Sequence, residues 1–323
     1  MRVFDSLEAI EADEFAAGTV IAIGKFDGVH LGHHALLDRV ATIAESRGLE
    51  PLVFTFANNP LSLLRPESCP DSIMSRRQRL QALEAAGVEA CVMVPFDAEL
   101  AEVAADEFVE RVLVGQLRVR HVCVGADFRF GHGGKGDPAL LETMGERLGF
   151  TVDISPDVED PAVGKVSSSR VRAAILQGDV ATAARMMGRF AALRGEVVHG
   201  DARGREIGFP TANLGGEVEG LRPADGVYAG WALVEGDPTA REAAISVGAN
   251  VTFDPEGEPR VEAFLLDYSG DLYGRAIELR FVERLRGMVA FESVDELLVR
   301  MREDVRETQT ILLGKNAEFR AVI

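Results

Sequence analysis

The sequence predicts two folds in one chain: an α/β domain with a doubly wound parallel sheet, then a mainly β domain that closes with a C-terminal helix. Three observations predict this. Short apolar runs alternate with helical patterns through the first half of the chain. After residue 186, β-like runs follow one another across Gly/Pro/Asp turns with no helix between them. The last segment carries a helical apolar stripe. A length of 323 residues suits two domains, and the boundaries read as 1–186 and 187–323, joined near 183–190.

In order, "TVIAIG" (19–24) is a continuous apolar run, as expected of a strand buried on both faces. The helix after it sets Leu36, Val40, Ile43 and Ala44 on one face and ends at Gly48. "PLVFTF" (51–56), "ACVMVPF" (90–96), "RHVCVG" (120–125) and "FTVDIS" (150–155) continue the series, with helical stretches at 75–87 and 139–148 between them. Such repetition implies right-handed crossovers and a parallel sheet of about five strands. In the second domain "GEVVHG", "GVYAGWALV", "EAAISVG", "RVEAFLLDY" and "AIELRFVERL" read as strands of an antiparallel barrel or sandwich. Ser293 and Glu296 form a capping-box pattern, Leu297, Leu298, Met301 and Val305 make a stripe, and Gly314 is placed to stop the helix.

Composition excludes several classes. The chain is 47% hydrophobic with a net charge of −18 and no basic block, which argues against general nucleic-acid binding. A polyanionic substrate must then be met by local cations, backbone N–H groups or a divalent metal. The acidic start "MRVFDSLEAIEADEFAAG" shows no signal peptide, and no apolar run is long enough to span a bilayer. The three cysteines, Cys69, Cys91 and Cys123, match no zinc spacing and suit a reducing cytoplasm. Cys91 and Cys123 sit in apolar runs and read as small core residues.

"GKFDGVHLGHHALL" (24–37) places half of the chain's six histidines at the mouth of a helix. Free N–H groups and the helix dipole favour an anion there. His30 and His33 can face one phosphate, with Gly28 and Gly32 letting the backbone approach, and imidazoles so placed stabilise charge on a phosphoryl group under attack. A solvated turn is an equal reading of an isolated H-x-G-H, and zinc is a third, although the i, i+4 spacing and general-base glutamate of a helical zinc pair are missing. Two stretches weigh toward phosphate because they reach the same sheet edge. "VGADFRFGHGGKGD" (124–137) mixes Asp127, Arg129 and His132 with glycines, and its Gly-Gly-Lys is no Walker A loop. "VSSSRVR" (166–172) puts three hydroxyls before a helix at 170–177, one of them as its N-cap, with Arg170 and Arg172 following.

In "GDARGREIGFPTANL" (200–214), Gly200, Gly204 and Gly208 give a low-profile backbone that can cover phosphates. Thr211 and Asn213 are hard-oxygen ligands of the kind Mg²⁺ takes, or local caps for the backbone. Glu262 shares a strand face with Phe264 and Leu266 and is a candidate base, or a solvated rim residue.

Taken together, "GKFDGVHLGHHALL", "VGADFRFGHGGKGD" and "VSSSRVR" resemble the nucleotidyltransferase module of prokaryotic bifunctional FAD synthetases. "GREIGFPTANL", "GVYAG", "VEAFLLDYSGDLYG" and "FVERLRGMVAFESVDELLVRMREDV" resemble the riboflavin kinase module that follows it. The resemblance covers nearly the whole chain and implies a small β-barrel with a C-terminal helix for the second fold. It implies ATP-dependent phosphorylation of riboflavin to FMN, then adenylylation of FMN to FAD, with Mg²⁺ as metal. His30 and His33 are then the phosphate histidines, and Gly24, Phe26, Asp27, Gly28, Asp127, Ser168, Ser169 and Arg172 complete the first ATP site. In the second, Gly204 and Gly208 cover phosphates, Thr211 and Asn213 hold Mg-ATP, and Glu262 is the base.

Two departures from the family stand out. "TFANNP" replaces the usual T-F-D-P-H-P, with Ala57, Asn58 and Asn59 in place of Asp, Pro and His. Val251 stands where proline is common. The first departure keeps an alternative open, a riboflavin kinase with a degenerate nucleotide-binding first domain. The expected partners are small molecules, with no nucleic acid and no membrane.

Overall fold

The structure is a computed structural model that describes residues 1–200, 208–249 and 258–320, the side chains of 315–320 excepted. Gly204 and Val251 therefore lie outside the described residues. The chain divides into two compact units, Met1–Val166 and Ser167–Ile323. By compactness the division falls ahead of the composition change read at 186/187.

The first unit runs β1 (Arg2–Phe4), β2 (Thr19–Ile23), α1 (Leu31–Arg47), β3 (Glu50–Phe56), α2 (Pro60–Leu64), α3 (Arg76–Ala85) and β4 (Ala90–Val94). There follow α4 (Ala98–Glu102), α5 (Ala105–Glu107) running on into a π-helix at Phe108–Gln116, β5 (Val119–Gly125), α6 (Pro138–Leu148) and β6 (Thr151–Ser155). A two-stranded ribbon, β7 (Glu159–Asp160) and β8 (Gly164–Lys165), ends the unit. The main sheet has six strands in the order β1-β4-β3-β2-β5-β6, all parallel. The expected five become six because the short acidic N-terminus supplies β1, an edge strand paired on β4 alone.

Strand β2 shows why the apolar runs are continuous. Its Ile21 and Ile23 face a core that includes Phe108, Val109 and Leu141, while Val20 and Ala22 face a second core with Leu36, Val40 and Leu83. Both faces are covered, so both parities must be apolar. Helix α1 ends where glycine allows it: Gly48 has φ 64° and its N–H reaches back to Ala44 and Glu45.

The second unit begins with α7 (Ser168–Leu176) and α8 (Val180–Met187), so the junction expected at 183–190 is partly helical. Six strands follow: β9 (Ala191–Val198), β10 (Ala212–Glu219), β11 (Gly226–Val234), β12 (Arg241–Gly248), β13 (Arg260–Leu265) and β14 (Ala276–Arg286). They close into an antiparallel barrel in the order β10-β13-β12-β11-β14-β9, which decides barrel over sandwich. The interior is filled by one parity of each strand, among them Leu193, Leu214, Tyr228, Ile245, Ala263 and Phe281. Residues of the opposite parity, including Asn213, Ser246 and Glu262, therefore stand on the outer face.

Helix α9 (Val294–Arg320) closes the chain. Ser293 Oγ accepts from the Glu296 N–H at 3.3 Å, as the capping pattern requires. Gly314 does not stop the helix, which continues to Arg320. A lone glycine costs only about 1 kcal/mol in a helix, too little to end one. Nor is the buried face the apolar stripe alone: Asp304, Thr308 and Leu312 are the most buried of its described side chains, while Leu297, Leu298, Met301 and Val305 are half-buried.

Asp304 is buried and held by two cations. Arg286 Nε donates to its Oδ1 at 3.0 Å and Arg286 Nη2 to its Oδ2 at 2.7 Å, and Arg300 Nη2 lies 3.0 Å from Oδ1. Removing the carboxylate leaves two guanidiniums facing each other without their shared anion. Asp304→Ala is expected to destabilise the second unit by about 3 kcal/mol, the low end for a broken buried pair because both arginines keep some solvent. Urea unfolding followed by circular dichroism checks this; a midpoint equal to the parent's would show that the cluster contributes nothing.

Cys91 and Cys123 are fully buried, as their apolar settings imply, and burial pushes both thiols up to about 12. The thiolate is the nucleophile, so neither reacts at neutral pH. The folded chain is expected to take up one equivalent of iodoacetamide, at Cys69, and three after unfolding in denaturant. Mass spectrometry counts them, and rapid labelling of two or three thiols in the folded chain would contradict the burial.

Candidate functional site

The strand order reverses between β2 and β5, which lie side by side and lead to opposite halves of the sheet. Loops after the carboxyl ends of such strands border the ligand crevice of open α/β sheets. "GKFDGVH" follows β2 there, and the turn bearing exposed Asp127 follows β5.

The β2 loop is strained. Phe26 has φ 50° and Val29 φ 33°, values that non-glycine residues seldom adopt. Each costs about 1–3 kcal/mol and persists only where packing over-determines it. Both side chains are fully buried, which supplies that packing. Gly28, at φ 84°, leaves room for Ile73: a β-carbon there would lie 3.0 Å from its Cδ1. His30 is the N-cap residue of α1, buried, and stacks on His33 with ring centroids 3.8 Å apart. Gly32 makes that arrangement possible, since a β-carbon on it would stand 3.1 Å from the His30 ring. Phe26 packs against His33 from the other side at 4.9 Å.

The pair therefore sits at the N-terminus of a seventeen-residue helix with no acidic residue in its first turn. That is a site for an anion. Of the loop residues read as phosphate contacts, His30, His33, Gly24 and Gly28 share this corner. Phe26 and Asp27 serve it from behind. The Asp27 carboxylate accepts from the N–H groups of Ile73 at 2.9 Å and Met74 at 3.3 Å, fixing the approach to α3.

Arg79 carries no sequence signal, because "RRQRLQ" reads as a solvated helix. Its guanidinium is nevertheless buried, donating to the carbonyls of Lys25 at 3.1 Å, Phe56 at 2.6 Å and Ala57 at 3.0 Å. It ties the β2 loop to the end of β3. Burial lowers its pKa, and the nearby Asp27 works in the opposite direction.

The altered 57–59 loop is well held. Asn58 accepts from the Phe96 N–H at 2.7 Å and donates to the Phe96 carbonyl at 3.0 Å, while Asn59 caps α2 by accepting from the Leu61 N–H. Asn58 thus holds this loop to the chain after β4, while Asn59 starts the helix that follows it.

His132 lies away from the histidine pair's loop, beside the Ala101 carbonyl at 3.2 Å and Glu102 at 3.5 Å. Ser168, Ser169 and Arg172 belong to α7 in the second unit. Ser167 takes the N-cap, accepting from the Arg170 N–H at 3.4 Å, and Ser168 and Ser169 occupy the first turn.

On the barrel's outer face, β10 and β13 pair with Asn213 opposite Glu262, and β12 sets Ser246 on the other side of Glu262. The Thr211 hydroxyl donates to Glu262 Oε2 at 3.1 Å. So Thr211, Asn213 and Glu262, read from two distant motifs, stand together. Gly200 closes on Asn213: a β-carbon there would lie 2.6–2.8 Å from the amide, so a side chain would collide. Gly208, at φ 83°, turns the chain into Phe209, which packs on Phe264 beside Glu262. His199 stacks on Tyr273 at 3.7 Å, a pairing no local pattern announces.

These donors fit a hard cation. Asn213 Oδ1 is buried and has no hydrogen-bond partner among the described residues, an arrangement that costs free energy unless something fills it. The Thr211 oxygen keeps a lone pair while its proton points at Glu262. A neutral amide oxygen, a hydroxyl and an adjacent carboxylate are the ligand types Mg²⁺ takes beside phosphates.

A strained anion corner on a parallel sheet and an oxygen-lined carboxylate site on a closed barrel are features that a two-unit transferase of phosphate groups requires. The FAD synthetase family model matches residues 12–170 and the riboflavin kinase model residues 187–312. The bifunctional riboflavin kinase/FMN adenylyltransferase of Escherichia coli (strain K12) is 37% identical over 89% of this chain and 90% of its own length. The protein of the same description from Bacillus subtilis (strain 168) is 34% identical over 91% of this chain and 92% of its own. The chain belongs to the bifunctional riboflavin kinase/FMN adenylyltransferase family. A crystal structure named Macrolide-efflux Protein from Streptococcus pneumoniae is similar over 95% of this chain and 98% of its own, with a TM-score of 0.83 at 33% identity. Among the described residues of this chain, no helix is long and apolar enough to cross a membrane.

Proposed function

We propose that the chain phosphorylates riboflavin to FMN and adenylylates FMN to FAD, each step consuming ATP. The observation that carries this is the pairing of groups in two separate places, His30 stacked on His33 at the N-terminus of α1 and Thr211, Asn213 and Glu262 on the barrel. Adenylylation is assigned to 1–186 and phosphorylation to 187–323.

In the kinase step Glu262 accepts the proton of the ribityl 5′-hydroxyl as that oxygen attacks the γ-phosphate, and ADP leaves. Thr211 holds the carboxylate in place. Thr211 and Asn213 would hold Mg²⁺, which would supply charge neutralisation on the phosphate oxygens. Positioning and charge dominate in such reactions, with the base a smaller contributor.

In the adenylyl step the FMN phosphate attacks the α-phosphate of ATP and pyrophosphate leaves. His30 and His33 meet the charge that builds on the phosphate oxygens, helped by the α1 N-terminus. In this reading Asp127 contacts the nucleotide of the adenylyl step, Ser168, Ser169 and Arg172 are nucleotide-binding residues of α7, and Gly204 and Gly208 serve the kinase. The kinase-only alternative loses its motive, since the 57–59 loop is anchored through Asn58 and Asn59 and the first unit matches the FAD synthetase model. The substrates are small molecules and the working compartment is the cytoplasm, in keeping with three free cysteines.

The test is one incubation of purified protein with riboflavin and Mg-ATP, resolving FMN and FAD by chromatography. FAD accumulation is expected. A reaction that halts at FMN, even with fresh FMN and ATP, removes the adenylyl half of the reading; no FMN at all removes the kinase half.

A further inference from the structure

Behind α1, away from the phosphate loop, three ligand-type side chains converge that neither reaction uses. His121 and Cys123 are two apart on β5 and so share a face, and Asp153 of β6 is the register partner of Cys123. One potential ligand atom from each lies within 4.8 Å of the others. In a tetrahedral zinc site, ligand atoms stand roughly 3.5 Å apart, so closure by about 1 Å suffices.

A second observation points the same way. His121 is 4% exposed, and its Nε2 is buried without a hydrogen-bond partner among the described residues. The other ring nitrogen is already fixed. Nδ1 lies 2.6 Å from Thr151 Oγ1, and that hydroxyl donates to the Arg120 carbonyl at 3.4 Å while accepting from Arg47 at 3.1 Å. With the hydroxyl proton on the Arg120 carbonyl, the hydroxyl accepts from Nδ1–H and Nε2 keeps its lone pair for a ligand. Hydrogen bonding of one imidazole nitrogen to an outer partner is how metal-bound histidines are oriented. Asp153 is about one-third exposed on an edge strand, which gives an entry path, and one of its oxygens is held by Arg39 of α1.

We propose that His121, Cys123 and Asp153 form a binding site for a borderline-soft divalent cation of the zinc class, separate from the oxygen-lined Mg²⁺ site of the barrel. One nitrogen, one sulfur and one oxygen select against Mg²⁺. The bound cation favours the Cys123 thiolate over the thiol, so the thiol proton is displaced as the metal–sulfur bond forms and leaves past the partly exposed Asp153, and the carboxylate and thiolate together neutralise the cation. Three protein ligands leave a fourth position for water. The metal ties β5 to β6 under α1.

Cobalt(II) is the probe, added to the full-length protein with Mg²⁺ in excess to occupy oxygen-ligand sites. Expected is one equivalent per chain with a near-ultraviolet thiolate-to-cobalt band and visible bands of tetrahedral strength, all lost on adding one equivalent of Zn²⁺. Cys69→Ser is expected to keep the thiolate band, and Cys123→Ser to lose it. Asp153→Asn, a change at a partly exposed edge, is expected to weaken cobalt binding at least tenfold and guards against misfolding of the buried variant. No thiolate band in the parent protein overturns the proposal, as does a band that survives Cys123→Ser or disappears with Cys69→Ser.

Discussion

Glu262→Gln is expected to cut riboflavin phosphorylation by about 10²-fold, the lower end for loss of a general base, with the loss in kcat and little change in KM. The amide is nearly the same size, and its oxygen can still accept the Thr211 hydroxyl that now reaches Glu262 at 3.1 Å. What it cannot do is take a proton. Asn213, opposite Glu262 across the β10–β13 pair, stays in register, so metal and nucleotide binding hold. FAD formation from supplied FMN is expected to be unchanged, because His30 and His33 belong to the other unit. Initial rates of FMN formation, measured with riboflavin and ATP each varied, check this. Full turnover in Glu262→Gln would remove the base from the mechanism, and an equal fall in the FAD step would show that the substitution damages more than one site.

The Glu262 constellation also shows what the sequence can and cannot carry. Thr211, Asn213 and Glu262 were legible as residue types in two motifs, but their meeting depends on strand pairing between positions far apart in the chain. Strand β10 itself escapes local reading because its "ANLGGEVE" mixes glycines with charges and its pairing with β9 shifts register between Gly215 and Glu219. Only the partner strands make it a strand. β1 is missed for a related reason: three residues paired along one edge leave no periodicity to detect. Conversely, β2, β3 and β5 are buried on both faces, and that condition writes itself into the sequence as unbroken apolar runs.

Site residues divide in the same way. His30 and His33 announce themselves because histidines at a helix mouth are chemically unusual, and Gly32 makes sense once the His30 ring is seen beside it. Arg79 does not, because an arginine in a polar helix looks solvated until the carbonyls of Lys25, Phe56 and Ala57 are found around it. Asp27 was legible as a loop acid, yet its carboxylate accepts from the backbone amides of Ile73 and Met74. Its type was visible and its work was not. The Asn58 clamp on Phe96 is a similar case: the departure at 57–59 is plain in the sequence, but its consequence depends on a backbone some forty residues away along the chain.

The second large effect falls on the first unit. His30→Ala is expected to lower FAD synthesis from FMN by roughly 10²–10³-fold, the scale for losing one donor aimed at developing negative charge, while FMN formation from riboflavin is retained. The imidazole is buried at the N-cap of α1 and stacked on His33, so its removal also frees His33 to move. That structural contribution has to be separated from the electrostatic one. His30→Asn keeps a hydrogen-bond donor at the helix mouth and fills part of the space. If charge stabilisation is the role, both variants lose kcat well beyond any change in KM for ATP, and the asparagine variant recovers part of the rate. If the ring only props the loop, the loss follows the fall in thermal stability and appears mainly in KM. The strained backbone at Phe26 and Val29 makes the distinction readable: a loop that relaxes when its packing is removed becomes more stable or more mobile, whereas one that merely lost a donor keeps its hydrogen-exchange protection. An unchanged FAD rate in His30→Ala would take the histidine out of the adenylyl step, and an equal loss of both products would mean that the two sites do not act independently.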